Sequence, residues 1–483
     1  MHFFAIQRVM GLLLVLFSTT LLPPIGVSFF YHDGAAEAFS GAYFVALATG
    51  LVLWLPVRRQ RRELRVREGF VIVTLFWALL ALFGAVPFFI ANRPDMIFTD
   101  AFFESISGLT TTGATILTGI DELPESIRYY RQQLQWLGGM GIVVLAVAVM
   151  PMLGVGGMQL YRAETPGPIK NNKLTPRITE TAKALWYIYL GLTVACAGAY
   201  WVSGMTLFDA IGHSFSTIAI GGFSTHDRSF GYFDNAAVDW VAVIFMLAAG
   251  MNFALHFHSW NSRSFKPYLI DAEVSVYLRI VLTVAVISVI ALIVMGTYGG
   301  WTGALRHGVF QAVSIATTTG FVTSGFDWWP LFLPALLIMA SFIGGCAGST
   351  AGGMKVIRAL LLFKQGKREI FRLVHPDALM PIKVGGKPTS DQVLSAVWGF
   401  FSLYVLSFAV LSLAISATGV DFLTGFSAVA ACLNNLGPGL GQVAQTYADL
   451  PIAAKWILSL AMLMGRLELF TLIVLMSRTF WRG

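Results

Sequence analysis

A helix too short for the membrane around it sets the terms for this chain. Residues 100–115 open on Asp100, an acid able to cap a helix, continue through small and apolar positions, and end in Thr110, Thr111, Thr112 and Gly113. A helix of about ten residues rises about 15 Å, half of a hydrocarbon core of roughly 30 Å. Apolar runs long enough to cross a bilayer lie on both sides of it. The chain must therefore leave the helix at membrane depth, where unpaired carbonyls are tolerated only if they line a water-filled path or a protein-enclosed site.

Composition fixes the surroundings. Of 483 residues, 56% are hydrophobic and 12% charged, and mean hydropathy is +0.72, values of a polytopic membrane protein. The opening apolar run lacks a small-residue cleavage pattern and reads as a retained span, not a signal peptide. Cys196, Cys346 and Cys432 sit in apolar stretches without CxxC or His–Cys spacing, which argues against zinc or a disulfide framework. His213, His256 and His258 lack metal-ligand spacing, and no Ser–His, Asp–Asp or His-Glu-x-x-His set suggests an enzyme. No organic cofactor is expected.

The net charge of +7 matters through its placement. Basic residues crowd four connectors: Arg58, Arg59, Arg61, Arg62, Arg65 and Arg67; Arg162, Lys170, Lys173, Arg177 and Lys183; Arg263, Lys266 and Arg279; Lys355, Arg358, Lys364, Lys367, Arg368 and Arg372. These are expected to be cytoplasmic, with both termini on the same side. The alternate connectors carry Asp33, Glu37, Asp95, Asp100, Asp121, Glu122, Glu125, Asp227, Asp234 and Asp239. Such acids either keep outer loops soluble or draw cations toward a mouth. The arginines set topology, and no nucleic-acid role is expected of them.

Read for repeats, the chain predicts ten full spans and four half-spans. An opening pair (about 5–31 and 40–57) belongs to residues 1–68. Unit one, 69–160, has spans at about 69–91 and 133–153 around the half-helix at 100–110. Unit two, 161–265, uses 183–203, 209–219 and 237–257. Unit three, 266–375, uses 274–297, 307–317 and 330–362, and unit four, 376–483, uses 392–418, 424–434 and 453–476. Counting thirteen residues on from Asp100, Asp209, His307 and Thr424 reaches Gly113, Gly222, Gly320 and Gly437, although Gly439 competes for the last place.

Backbone carbonyls can replace the hydration shell of a monovalent cation without placing net charge in the membrane. A glycine after each half-helix admits dihedrals that turn carbonyls inward, and the half-helix aims its partly negative end at the same point. The candidate ring is Thr111, Thr112 and Gly113; Ile220, Gly221 and Gly222; Thr318, Thr319 and Gly320; Asn435, Leu436 and Gly437. One such copy alone would be ordinary small-residue packing. Four copies between paired spans are not.

These four segments, with the Gly-Gly-Cys-Ala-Gly-Ser-Thr-Ala-Gly-Gly-Met-Lys run at 344–355, resemble the superfamily of Trk, Ktr and HKT potassium transporters over essentially the whole chain, and within it the bacterial Trk branch. The resemblance implies an all-α polytopic membrane protein of the bacterial inner membrane, with four pseudo-symmetric span–half-helix–span repeats around one pore and an extra N-terminal helix pair. It further implies potassium (K+) uptake as the function, a homodimer, and a cytoplasmic nucleotide-binding regulator of the TrkA type. Plant members that carry sodium have serine at the first filter glycine; Gly113 here points to potassium. A sodium-coupled or sodium-permeable transporter of the same superfamily is the alternative.

Two features fit a gated pore. Gly344, Gly345, Gly348, Ser349, Gly352 and Gly353 should break the second span of unit three, since each interior glycine costs roughly 1 kcal/mol against alanine; close helix contact is the other reading. The resemblance makes this break a loop obstructing the cytoplasmic exit. Arg466 lies mid-span, which is costly, and Glu468 is on another helix face. The family places such a basic residue just beneath the filter; a structural ion pair, with Glu104 among others, is the alternative. Asn252 either faces the pore or braces helices, and the connector 162–181 is either a regulator-docking surface or a solvated loop.

Overall fold

Long apolar runs form long helices in the computed structural model, which describes residues 3–59, 66–141, 178–330, 332–378, 380–467 and 469–481. Six helical segments are long and apolar enough to cross a membrane: Phe3–Tyr31, which is interrupted by a turn at residues 20–21, Ala36–Val57, Arg67–Ile90, Lys183–Val202, Ala272–Val294 and Asp391–Ser416. Two further spans are sharply bent pairs, Ala236–Ala249 with Phe253–Ser262 at 95° and Ile452–Arg466 with Phe470–Met476 at 115°. The second span of unit three is split into Leu333–Ser341 and Val356–Val374 by a non-helical stretch. The remaining expected span, 133–153, starts as the helix Glu125–Gly139 and leaves the described residues after 141. Lying largely outside them as well are the basic connector around Arg162, Lys170, Lys173 and Arg177, together with Arg61, Arg62, Arg65 and Glu468.

Two of the expected spans are thus not straight. Gly250 and Asn252 interrupt 237–257, and the helix restarts because the Asn252 side chain accepts the Ala254 N–H at 2.8 Å. Asn252 is a helix cap that braces, with Gly348 packed against its amide. The span 453–476 turns after Arg466. Among the described residues the only β pairing is a two-residue hairpin, Lys383–Val384 with Lys387–Pro388, ahead of the first span of unit four.

The four half-helices are Phe98–Leu109, Leu207–Ala219, Trp301–Ala316 and Phe422–Leu433, of 12, 13, 16 and 12 residues. At 1.5 Å per residue all four are about 18–24 Å long, too short to cross. Each packs between the two spans of its own unit and also against the second span of the unit before it. Phe98–Leu109 meets Ile452–Arg466 of unit four, Leu207–Ala219 meets Glu125–Gly139 of unit one, Trp301–Ala316 meets Ala236–Ala249 of unit two, and Phe422–Leu433 meets Leu333–Ser341 of unit three. That order closes a ring. The opening helix pair stays outside it, packed on Val66–Ile90 and Glu125–Gly139 of unit one.

The outer ends of the half-helices are pinned differently from the sequence expectation. Asp100 does not cap its helix, which starts at Phe98 after Ile97 without a side-chain cap. Its carboxylate instead takes the Lys455 ammonium of unit four at 2.7 Å, still close to the positive helix end. Thr206 and Asp421 supply the caps in units two and four. Arg306, on the third half-helix, pairs with Asp239 at 2.6 Å and Asp234 at 3.0 Å in unit two. Much of the acidity expected of an outer mouth therefore joins one unit to the next.

Candidate ion pathway

All four half-helices end in the same way. The first residue of each candidate triplet, Thr111, Ile220, Thr318 and Asn435, has a positive φ of 53°, 54°, 66° and 53°. The glycines two positions on, Gly113, Gly222, Gly320 and Gly437, have φ of 79°, 80°, 85° and 98°. Between them Thr112, Gly221, Thr319 and Leu436 keep negative φ. Their N–H groups reach back to Ser107, Ser216, Ser314 and Ala431 at 2.9, 2.8, 2.7 and 2.8 Å, closing the helix with a left-handed residue. Alternating the sign of φ turns successive carbonyls toward one side. Holding a residue with a β-carbon in the left-handed region costs about 1–2 kcal/mol, and all four units accept that strain at the same place.

The glycines close the ring. A methyl group on Gly113 would fall onto the carbonyl oxygen of Gly221, on Gly222 onto that of Thr319, and on Gly320 onto that of Leu436. On Gly437 it would sit 2.7 Å from the Thr112 oxygen, returning to unit one. Gly439, the competing position, has no positive φ and faces Val443 and Ser427 instead of a neighbouring unit.

Each extended segment beyond its glycine is held by a buried polar side chain on its own half-helix. Glu104 accepts from Thr115 Oγ1 at 3.0 Å and from the Ile116 N–H at 3.1 Å. His213 donates through Nδ1 to the Asp209 carbonyl and accepts at Nε2 from Ser224 Oγ, 2.9 Å away. Gln311 donates to the Ser324 carbonyl at 3.1 Å, and Ser427 accepts the Leu440 N–H at 2.8 Å. Glu104 also pairs with Arg131 at 2.8 Å, both groups almost fully buried, and Arg131 continues to the Ser224 carbonyl of unit two at 2.9 Å. Gln135 accepts the Phe223 N–H at 3.0 Å and donates to the Gly221 carbonyl at 2.6 Å, so this oxygen of the ring already has an amide partner. Sequence reading missed this layer. Its signal was the run Arg131, Gln132, Gln133 and Gln135 at the head of a span that should be apolar.

Beneath the ring lies the chain segment that splits unit three. Gly344, Gly348 and Gly353 have positive φ, so the break is a folded loop and not a helix contact. It bonds to the ends of three half-helices. Thr350 Oγ1 donates to the Ile218 carbonyl of unit two at 2.8 Å, the Gly352 N–H donates to Thr318 Oγ1 at 2.7 Å, and the Gly353 N–H to the Asn434 carbonyl of unit four at 3.1 Å. Gly345 lies against the Gly250 carbonyl, which accepts the Cys346 N–H at 2.9 Å, and Ser349 hydroxyl bonds back to Cys346. Arg466 enters the same space. Its guanidinium donates to Thr111 Oγ1 and to the Thr350 carbonyl, each at 3.3 Å, and to the Gly138 carbonyl of unit one. Glu104, considered above as its partner, is bonded to Arg131. One cavity brings Arg466 together with Gly139, Ser349, Gly352 and Lys355.

The same architecture recurs in proteins of known family. Residues 35–482 match the family model described as TrkH, cation transport protein. The chain is 58% identical to the Trk system potassium uptake protein TrkH of Salmonella typhimurium over the full length of both. It is 42% identical to the Trk system potassium uptake protein TrkG of Escherichia coli, covering 100% of this chain and 99% of that one. The crystal structure of the potassium transporter TrkH from Vibrio parahaemolyticus superimposes over the whole of both chains with a TM-score of 0.91 at 55% identity. A family of transporters, an all-α fold and multiple apolar spans agree with one another, and the chain belongs to the TrkH cation transport family.

Proposed function

We propose that the chain forms the pore of a potassium uptake system in the bacterial inner membrane. The carrying observation is the closed ring of four segments in which unlike side chains adopt one backbone. Carbonyls of Thr111 and Thr112, Ile220 and Gly221, Thr318 and Thr319, Asn435 and Leu436 would replace the ion's water, and the four half-helix C-termini would favour its charge. The relatives' names carry the substrate: both are potassium uptake proteins.

Below the filter, the loop at 342–355 stands as the gate and Arg466 as its charged brace. A cation leaving the ring would meet the guanidinium, which raises the barrier and limits flux. Opening requires the loop to give up its bonds to Ile218, Thr318 and Asn434. A cytoplasmic nucleotide-binding regulator of the TrkA type would drive that movement, with the pore subunit working as a homodimer and both termini cytoplasmic. The Trk system names of the relatives support an assembly of several proteins.

Gly113→Ser tests the filter. The new Cβ falls on the Gly221 carbonyl at φ 79°, so the ring must distort. In liposomes the potassium-over-sodium flux ratio should drop by about tenfold or more, equal to about 1.4 kcal/mol of lost discrimination. An unchanged ratio would remove these residues from the filter.

A further inference from the structure

We propose that Glu273 is the latch of the intramembrane loop, a positioning residue that ties both of its ends to the first span of unit three. The inference rests on the reading of 342–355 as the gate. Glu273 stands in the first turn of Ala272–Val294, where Asp271 caps the helix by accepting the Glu273 and Val274 N–H groups at 2.9 Å each. With its own helix end satisfied, the Glu273 carboxylate points across to the loop. One oxygen, Oε1, accepts the N–H of Ala347 at 2.7 Å and that of Ile357 at 3.1 Å. The first amide lies in the first half of the loop and the second just beyond it.

Neither bond is incidental. Ile357 is in the first turn of Val356–Val374, whose N-cap position, Lys355, makes no side-chain cap. Glu273 therefore caps that helix from a different helix, its Oε1 accepting an amide of the first turn. Lys355 itself is held at φ 77° and turns its ammonium back onto the Ala351 carbonyl, so the foot of the loop is a strained conformation that persists only while its surroundings enforce it. Other ties of the loop run to Ile218, Thr318 and Asn434 beside the ring, to Gly250 at the bend of unit two, and to the guanidiniums of Arg466 and Arg358. Glu273 joins the loop and the helix that follows it through a single oxygen. Val356–Val374 continues outward carrying Lys364, Lys367, Arg368 and Arg372. Displacing this basic helix from the cytoplasmic side withdraws Ile357 from Glu273, removes the cap, and frees Ala347 at the same moment.

The test uses full-length protein in vesicles of phosphatidylethanolamine and phosphatidylglycerol, without any regulator. Glu273→Ala should raise potassium leak about tenfold, equal to about 1.4 kcal/mol, by removing the acceptor shared by two amides. Glu273→Gln, which keeps an oxygen able to accept both amides, should stay near the parent. Glu273→Met replaces the alanine variant if the latter fails to reach the membrane. The three native thiols report on the loop directly: Cys346, Cys196 and Cys432 are all buried and free. Release of the latch should make Cys346 react faster with a water-soluble maleimide while Cys196 and Cys432 stay protected, which global unfolding would not do. A glutamine variant as leaky as the alanine one, or an alanine variant with parental leak and a protected Cys346, overturns the latch. A deletion within 344–353 separates the two readings. If it raises leak while Glu273→Ala does not, the gate stands without this latch; if it leaves leak unchanged, the gate reading fails and the latch with it.

Discussion

The ring of glycines and the layer just beneath it obey opposite rules. In the ring, Thr-Thr-Gly, Ile-Gly-Gly, Thr-Thr-Gly and Asn-Leu-Gly reach the same alternation of φ and touch their neighbours through the same atoms. One layer down, four equivalent second spans do four different things. In unit one, Gly138 packs on the end of the first half-helix and lends its carbonyl to Arg466. Unit two bends by 95°, unit three opens into the loop, and unit four carries Arg466 before it turns. Coordination of a spherical ion asks for four equal backbones and is indifferent to side chains. A gate, as proposed for the loop, asks for one unit that differs from the rest, and it is at this level that the four units differ.

The sharpest way to break the upper half of this comparison is to remove the buried ion pair that braces it. Arg131→Ala leaves Glu104 charged, buried and short of a partner, which typically costs about 3–5 kcal/mol. Because Arg131 also holds the Ser224 carbonyl of unit two, the damage should cross units. Thermal unfolding in detergent should drop steeply, and potassium selectivity should fall with it. Selectivity that survived would mean the ring keeps its shape without its outer brace.

Arg466 probes the lower half. Two unit charges about 8 Å apart at an effective dielectric near 20 repel by about 2 kcal/mol, so Arg466→Ala should raise flux by about tenfold or more while leaving the potassium-over-sodium ratio alone. Arg466→Lys separates charge from bridging, since an ammonium cannot reach Thr111, Thr350 and Gly138 together as the planar guanidinium does. A lysine variant with parental flux would assign the effect to charge; a leaky one would assign it to the brace on the loop.

What the sequence made legible follows the same division. The half-helices, the thirteen-residue count to each glycine and the break at 344–353 are local, carried by span length and by Gly, Thr and Asp placed at short spacing. Contacts between units were not readable, because they depend on which unit neighbours which. Asp100 looked like a cap and is an ion-pair partner of Lys455, 355 residues away. Glu104 was set against Arg466 and belongs to Arg131. Glu273 sat unnoticed in a first turn, and the bend at 250–252 rested on a single glycine and an asparagine in an otherwise apolar run.

Thr318 lies on the boundary between the two halves, since its carbonyl belongs to the ring and its hydroxyl accepts the Gly352 N–H of the loop. Thr318→Val keeps the first and removes the second, leaving a buried amide unpaired at a cost of about 1–3 kcal/mol. Leak should rise severalfold with selectivity unchanged. A fall in selectivity would show that the hydroxyl, and not only the backbone, shapes the filter.

The smallest effect is expected outside the membrane, where His226 joins units one and two. Its Nδ1 bonds Asp121 and its Nε2 lies 3.3 Å from Asp209, while its ring stacks on Tyr232; Asp227 meets Asp121 through its backbone N–H, and His213 lies close by on the half-helix. Burial alone would lower the pKa of His226, but the bonds to Asp209 and Asp121 outweigh it and raise the value from its ordinary level. The protonated tie therefore contributes fully below about pH 6.5 and is lost as pH rises through the raised value. Asp121 is 41% exposed, so water screens that half of the tie and keeps it below about 1 kcal/mol, whereas Asp209 is 8% exposed. Melting temperature should decline slightly from pH 6 to pH 9, and His226→Gln should flatten that decline without altering selectivity. A selectivity that followed the titration of His226 would carry the ring's dependence on side chains beyond Thr318 and out to the loops above it.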